Sequence, residues 1–132
     1  MTAKTASLYK LTDAMLLQRL EGLAALALGA LAYGWLGQSW LVFALLFLVP
    51  DLAMLGYLRS ARLGGMSYNL VHNYAAPALL ALAGLAIGPW ANGLAAIWIA
   101  HIGADRLLGY GLKLDSFGAT HLGPVGKARS AR

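Results

Sequence analysis

Two histidines and two aspartates of the kind that bind transition metals occur in otherwise apolar parts of this chain. They are Asp51, His72, His101 and Asp105. His101 and Asp105 are four residues apart, so on a helix both side chains project from one face. Imidazole nitrogens combined with carboxylate oxygens suit zinc, manganese or iron. These residues therefore predict a divalent-metal site, to which the chain, having no cysteine, can add no thiolate.

Other polar residues in the same apolar segments predict the remainder of a pocket. Glu21 is the candidate catalytic residue, because a carboxylate beside a metal site can accept a proton from an attacking water. Asn69 and Asn73 are candidate binding residues, since their spacing places them on the helix face of His72. If a metal binds, hydrolysis of a substrate reached from the inner leaflet or the cytoplasm is the simplest chemistry.

The C-terminal part of the chain contributes three further candidate binding residues, Arg106, Tyr110 and His121. Arg106 should point about 100° away from its neighbour on the helix, and we expect it to snorkel or to pair with a carboxylate. Glycines around Tyr110 predict flexible backbone. His121 is expected to fold back over the pocket mouth, and either it or Glu21 could complete the ligand set.

The same polar residues also fit functions that require no metal. The two His and two Asp residues could satisfy one another as a buried network that fixes helix register. Glu21 in a first span, with Pro50 and Pro77 in later spans, would suit a small proton-coupled transporter. The polar layer could also dock a partner in a non-catalytic subunit or assembly protein. Whether the chain is an enzyme is therefore left open.

Long apolar segments must position these residues. Of the 132 residues, 60% are hydrophobic and only 11% are charged, and the mean hydropathy of +0.66 is too high for an ordinary soluble domain. Four runs approach the length of about 20 residues that crosses a hydrocarbon layer. We predict one all-α domain, an integral membrane four-helix bundle with short loops and approximate spans 15–33, 40–58, 67–87 and 93–112.

The positions of the ten lysines and arginines predict the orientation of this bundle. They fall near both termini and in the second loop, and the first and third loops have none. By the positive-inside rule, both termini face the cytoplasm, which we place at a bacterial inner membrane. Trp35, Trp40 and Trp90 would then lie at the outer interface. The expected surroundings are the lipid bilayer, with a homodimer or a membrane protein partner left open, and no nucleic acid.

Prolines and glycines predict where the spans are interrupted. Pro50 and Pro77 should each kink a helix. Arg59–Gly65 has the composition of a loop, and Ser67 that of a helix N-cap.

Counted from the inner ends of the predicted spans, the polar residues lie within roughly 6 to 15 Å of the inner boundary. His72 is placed only about four residues into the third span on this count. The result is a polar layer contributed by four separate helices, which predicts a pocket open toward the cytoplasm.

Several short stretches together resemble domain-of-unknown-function family 4260. They are Leu20–Gly22, Pro50–Leu52, Gly56–Tyr57, Tyr68–His72, Ala100–Arg106, Gly109–Lys113 and Thr120–Gly123. The resemblance extends from about Leu17 to Gly126 and implies a four-span bacterial membrane protein without an assigned activity. A looser similarity, in the His and Asp residues of the spans, is to membrane-bound metal-dependent hydrolases, and it is an analogy only.

Overall fold

The computed structural model describes residues 10, 12–114 and 118–124, and this part of the chain is almost entirely helical. The α-helices are α1 (Ala14–Trp35), α2 (Trp40–Leu46), α3 (Ala61–Val71), α4 (Ala75–Ile87) and α5 (Pro89–Leu108), with a 3-10 helix at Val49–Leu58 between α2 and α3. Two short antiparallel strands, β1 (Ala119–Thr120) and β2 (Gly123–Pro124), follow α5. The structure agrees with the predicted all-α class.

Three helical stretches are long and apolar enough to cross a membrane: Ala14–Trp35, Trp40–Leu58 and Ala61–Ile87. Their outer faces carry large apolar side chains, among them Leu31, Leu41 and Leu79, which are 67–69% exposed. Soluble proteins seldom expose so much contiguous apolar surface, whereas a bilayer covers it. The chain accordingly has the features of a membrane protein.

Helix α5 is the centre of the bundle. Ten of its 20 residues are buried, and it packs against both α1 and α4. Glycines allow the close approach of α1, because a Cβ added to Gly22 would lie 2.6 Å from the Cβ of Arg106, and one added to Gly103 would lie 2.5 Å from the Leu26 nitrogen. Small residues at such contacts are typical of membrane helices. Enclosure by its neighbours allows α5 to carry polar side chains.

The segment Trp40–Leu58 changes helix type close to Pro50. The α-helix ends at Leu46, and the 3-10 helix begins at Val49 with Pro50 in its first turn. Proline fits a first turn because no hydrogen bond is required there from the nitrogen it lacks. The interruption predicted at Pro50 is therefore confirmed, and it takes the form of a new helix type.

The segment Ala61–Ile87 is broken between α3 and α4, ahead of Pro77. Pro77 lies in the first turn of α4, so the kink predicted at this residue is instead a break over the residues preceding it. Asn73 joins the two helix ends: its Nδ2 donates to the carbonyls of Asn69 (3.0 Å) and Leu70 (2.9 Å), and its Oδ1 accepts from the Ala76 nitrogen (3.1 Å). A break located here fits the clash of a proline ring with the carbonyl four residues earlier.

The loop predicted at Arg59–Gly65 is wrong in extent, because α3 already begins at Ala61. The predicted N-cap is also wrong: Ser60 caps this helix, its side chain accepting from the Leu63 nitrogen at 3.0 Å. Ser67 instead donates to the Ala53 carbonyl at 2.7 Å and so ties α3 to the 3-10 helix. The ring of Tyr57 packs directly on Gly64, which explains a glycine within the helix.

Two hydrogen bonds mark the two ends of the bundle. At one end, Gln38 Nε2 donates to the Pro89 carbonyl at 2.7 Å. This bond joins the first connection, between α1 and α2, to the third connection, between α4 and α5. Trp35, Trp40 and Trp90 flank these connections and are 92%, 54% and 56% exposed. Toward the other end of α5, Arg19 Nε donates to the Leu107 carbonyl at 2.8 Å. The exposed tryptophans therefore lie at the end away from Arg19.

Candidate metal centre

The side chains of Asp51, His72, His101 and Asp105 meet in the interior, and one ligand atom from each lies within 4.8 Å of the others. His72 Nε2 is 3.2 Å from Asp51 Oδ1 and 3.5 Å from Asp105 Oδ2. His101 Nε2 is 3.2 Å and 3.4 Å from the same two oxygens. The two Nε2 atoms are 3.2 Å apart. The structure thus brings together all four residues that the sequence proposed as metal ligands.

These separations are the ones expected for atoms that surround a single ion. Four ligand atoms at about 2.1 Å from a tetrahedral centre lie about 3.4 Å from one another. The five distances above span 3.2–3.5 Å. These five distances are of the size expected between ligands of one ion, and the His/Asp group could hold a metal ion.

Two helix irregularities and one regular helix position the ligands. Asp51 lies in the first turn of the 3-10 helix. His72 is the residue at which α3 ends, with φ −106° and ψ 27°. His101 and Asp105 come from successive turns of α5. Asp51 and His72 thus lie where the regular α-helix is interrupted. Their side chains turn toward α5 at these interruptions.

The hydrogen bonds of His72 indicate which of its nitrogens faces the group. Nδ1 lies 2.9 Å from the Tyr68 carbonyl oxygen. A carbonyl can only accept, so Nδ1 carries the proton and donates it. In the neutral ring, Nε2 then directs a lone pair at the other three ligand atoms. Metal-binding histidines are commonly oriented in this way by a carbonyl on the opposite nitrogen.

Tyr68 contacts two of the four candidate ligands. Its ring stacks on the His72 imidazole with 3.7 Å between centroids and 7° between planes. Its hydroxyl donates to Asp105 Oδ2 at 3.3 Å. His101 has a different neighbour, since its ring meets Phe47 edge-on at 5.4 Å. Both imidazoles are therefore held by aromatic contacts while their Nε2 atoms face inward.

Burial differs between the ligands. The side chains of His72 and His101 are 0% and 2% exposed, against 17% for Asp105 and 33% for Asp51. Each imidazole lies near both carboxylates, so the contacts are not two separate His–Asp pairs. Carboxylate oxygens and the His72 Nε2 lone pair are acceptors, so the group needs either shared protons or a cation to satisfy it. Asp51 is the ligand most accessible from outside.

Arg106 neither snorkels nor pairs with a carboxylate in the described part of the chain. It is 4% exposed and donates to two backbone carbonyls, that of His72 at 2.8 Å and that of Tyr110 at 2.9 Å. The first bond satisfies a carbonyl left free by the break after α3. Arg106 thus fixes the backbone of a candidate ligand, and Tyr110 contributes its carbonyl to that contact.

Asn69 holds the residues that follow α5. Its Nδ2 donates to the Lys113 carbonyl at 2.8 Å, and its Oδ1 accepts from the Lys113 nitrogen at 2.6 Å. Lys113 also forms an antiparallel bridge with Thr120, and the Leu114 nitrogen donates to the Ala119 carbonyl at 2.8 Å. Residues 109–114 and 118–124, here called the C-terminal strap, therefore fold back against α3.

His121 and Glu21 are not members of the four-residue group. His121 stays within the strap, where its Nδ1 accepts from the Leu112 nitrogen at 2.7 Å. Burial, followed by the nearby Arg106 cation, lowers the pKa of His121, which keeps Nδ1 an acceptor at neutral pH. Glu21 lies on α1 with an exposed side chain. Asn73, as described above, joins α3 to α4.

Sequence reasoning missed Tyr68 and Lys113. A signal existed for Tyr68, since it precedes His72 by four residues and so shares its helix face. Lys113 offered no comparable signal, because its approach to Tyr68 depends on the fold of the strap.

Comparison with known proteins identifies one family. A family model described as "Domain of unknown function (DUF4260)" matches residues 15–125. No curated protein matches the chain, and no solved structure does.

Proposed function

This chain belongs to the DUF4260 family, a domain of unknown function, and we propose from the site itself that it is a membrane-embedded metalloprotein. The proposed ligands of one divalent transition-metal ion are Asp51, His72, His101 and Asp105. The observation that carries the proposal is the set of five distances of 3.2–3.5 Å among their inward-facing atoms.

Zinc is the first choice for the ion. It favours four nitrogen and oxygen ligands in a tetrahedron, whereas manganese favours six, mostly oxygen, ligands. Iron is the second choice, because imidazole and carboxylate also suit it. The protonated Nδ1 of His72, fixed by the Tyr68 carbonyl, supports metal binding through Nε2.

The reaction class that we propose is metal-dependent hydrolysis. A zinc ion held by these residues would supply Lewis acidity at neutral pH. A site with four protein ligands leaves no position for water or substrate, so Asp51, which has the most exposed side chain of the four, would give way as a substrate approaches from its side. Tyr68 and the two histidines are buried and would stay in place while a substrate binds. Glu21, exposed on α1, has no part in this proposal.

For the orientation, we propose that both termini and the connection around Arg59 and Arg62 face the cytoplasm of a bacterial inner membrane. The distribution of lysine and arginine supports it. The exposed tryptophans at the opposite end of the bundle support it as well, because tryptophan is enriched at membrane interfaces.

Elemental analysis of the detergent-purified protein, prepared without a histidine tag, tests the metal proposal. We expect about one zinc per chain, and less than a tenth of that in His72→Ala and His101→Ala, since each removes one of four ligands. Glu21→Ala is the control, because it removes an exposed carboxylate outside the four-residue group, and it should keep the metal. Stoichiometric metal in His72→Ala or His101→Ala would contradict the site, and so would a metal-free wild type after incubation with zinc.

A further inference from the structure

We infer that Tyr68 is a positioning residue of the metal centre and that the C-terminal strap holds it in place through Lys113. The inference rests on the proposed function, in that the four-residue group is taken to bind a metal. It adds that the affinity of this group for the metal depends on the C-terminal strap, which follows α5.

Tyr68 connects ligands from two different helices. Its parallel stack on His72 restricts rotation of an imidazole that comes from the end of α3. Its hydroxyl holds one oxygen of Asp105, which comes from α5. The tyrosine itself is 3% exposed, so its ring has little room to move. Tyr68 can therefore fix the relative positions of the two ligand atoms.

Lys113 brings a cation to the same ring. Its side chain is 4% exposed, which is unusual for lysine and requires compensation. Its Nζ lies over the Tyr68 ring at 4.8 Å from the centroid, the arrangement of a cation–π interaction. The ammonium also attracts the carboxylates of Asp105 and Asp51. Lys113 thus stabilises both the ring that orients the ligands and the negative charge of the ligand set.

The strap determines where Lys113 lies. Asn69 binds its backbone with two hydrogen bonds, at 2.6 and 2.8 Å, and Thr120 pairs with it in an antiparallel bridge. Asn69 follows Tyr68 directly in sequence, so the strap docks on the turn of α3 that supports His72. The position of the strap and the geometry of the ligands are thereby coupled through Asn69, Lys113 and Tyr68.

Cobalt binding to the zinc-free protein, followed by its visible absorption, tests this coupling. Residues that orient ligands typically contribute 10- to 100-fold to metal affinity. We expect affinity to fall by about 10-fold in Tyr68→Phe and Lys113→Met, and by up to about 100-fold in Tyr68→Leu. Tyr33→Phe removes a buried hydroxyl that donates to Ser39, and Lys10→Met removes an exposed cation. Both controls should bind cobalt like the wild type.

A measurement without metal separates this inference from the metal proposal. In the zinc-free protein, the Tyr68 ring should shift the NMR signals of the His72 imidazole protons, and Lys113→Met should reduce that shift by freeing the ring. Wild-type cobalt affinity in all three variants, or an unchanged His72 signal in Lys113→Met, would overturn the positioning role. A wild type that binds no cobalt, combined with a His72 signal that responds to Lys113→Met, would instead refute only the metal.

Discussion

At the scale of single residues, the partners of Arg106 determine how much negative charge remains for a cation. Its guanidinium donates to the carbonyls of His72 and Tyr110. An ion pair with Asp105 or Asp51 would have neutralised a carboxylate and weakened its binding to a cation. Because Arg106 bonds to neutral groups, neither carboxylate is paired with its guanidinium.

His121 provides a pH-dependent contact, because its Nδ1 must be unprotonated to accept from Leu112. Burial and Arg106 lower its pKa below the ordinary value of 6.5. The contact therefore contributes fully above pH 6.5 and is lost as the pH falls through the lower folded-state pKa. We expect amide hydrogen exchange at Leu112 to accelerate on acidification, after correction for the intrinsic rate.

The matched variant is His121→Asn, which offers an amide oxygen as an acceptor that does not titrate. Its exchange at Leu112 should stay nearly independent of pH over the same range. Equal pH dependence in both proteins would show that His121 does not control this contact.

At the scale of elements, the breaks in two apolar helical stretches make the site possible. Asp51 and His72 both lie beside such breaks, and both point toward an unbroken α5. Asn73 compensates the backbone groups that the second break leaves free, through three hydrogen bonds. The break is therefore a stable feature of the fold with its own dedicated side chain.

Substitutions at the second break should have unequal effects on stability. Asn73→Ala should lower the free energy of unfolding by about 1–3 kcal/mol, because it leaves backbone groups without partners. Pro77→Ala should change it by less than about 1 kcal/mol, because proline in a first turn sacrifices no hydrogen bond. Unfolding in detergent by a denaturant measures both. A larger loss in Pro77→Ala than in Asn73→Ala would contradict this account of the break.

The breaks also explain which parts of the site could be predicted. The four candidate ligands were identifiable because His and Asp are costly in apolar spans and because His101 and Asp105 share a helix face. The predicted depth of His72 is wrong, because the sequence pattern predicts that the third span begins near Ser67. The helix begins at Ala61, so His72 lies about 16 Å along it and reaches His101. Lys113 could not be predicted, because its approach to Tyr68 depends on the non-local fold of the strap, whereas Tyr68 offered a local signal in its spacing of four residues from His72.

At the scale of the whole molecule, the bundle presents apolar side chains outward and keeps its polar groups around α5. The two ends of the described bundle differ: exposed tryptophans flank the first and third connections, and at the other end Arg19 bonds to the last turn of α5. This asymmetry is the basis of the proposed orientation.

Single cysteines can test that orientation without background, because the chain has none. Ser39→Cys in the first connection should react with a membrane-impermeant maleimide in intact cells. Ser60→Cys, in the second connection between the 3-10 helix and α3, should react only after the membrane is permeabilised. The opposite labelling pattern would place the termini outside.

The enclosure of α5 has a consequence for synthesis of the protein. This helix carries His101, Asp105 and Arg106, and it is not among the three stretches apolar enough to be recognised as spans by composition. We expect the insertion machinery to release it into lipid only when α1 and α4 are present to receive it. The two ligands on α5 would then be the last to arrive, so that the growing chain offers no complete ion site until its final helix has docked.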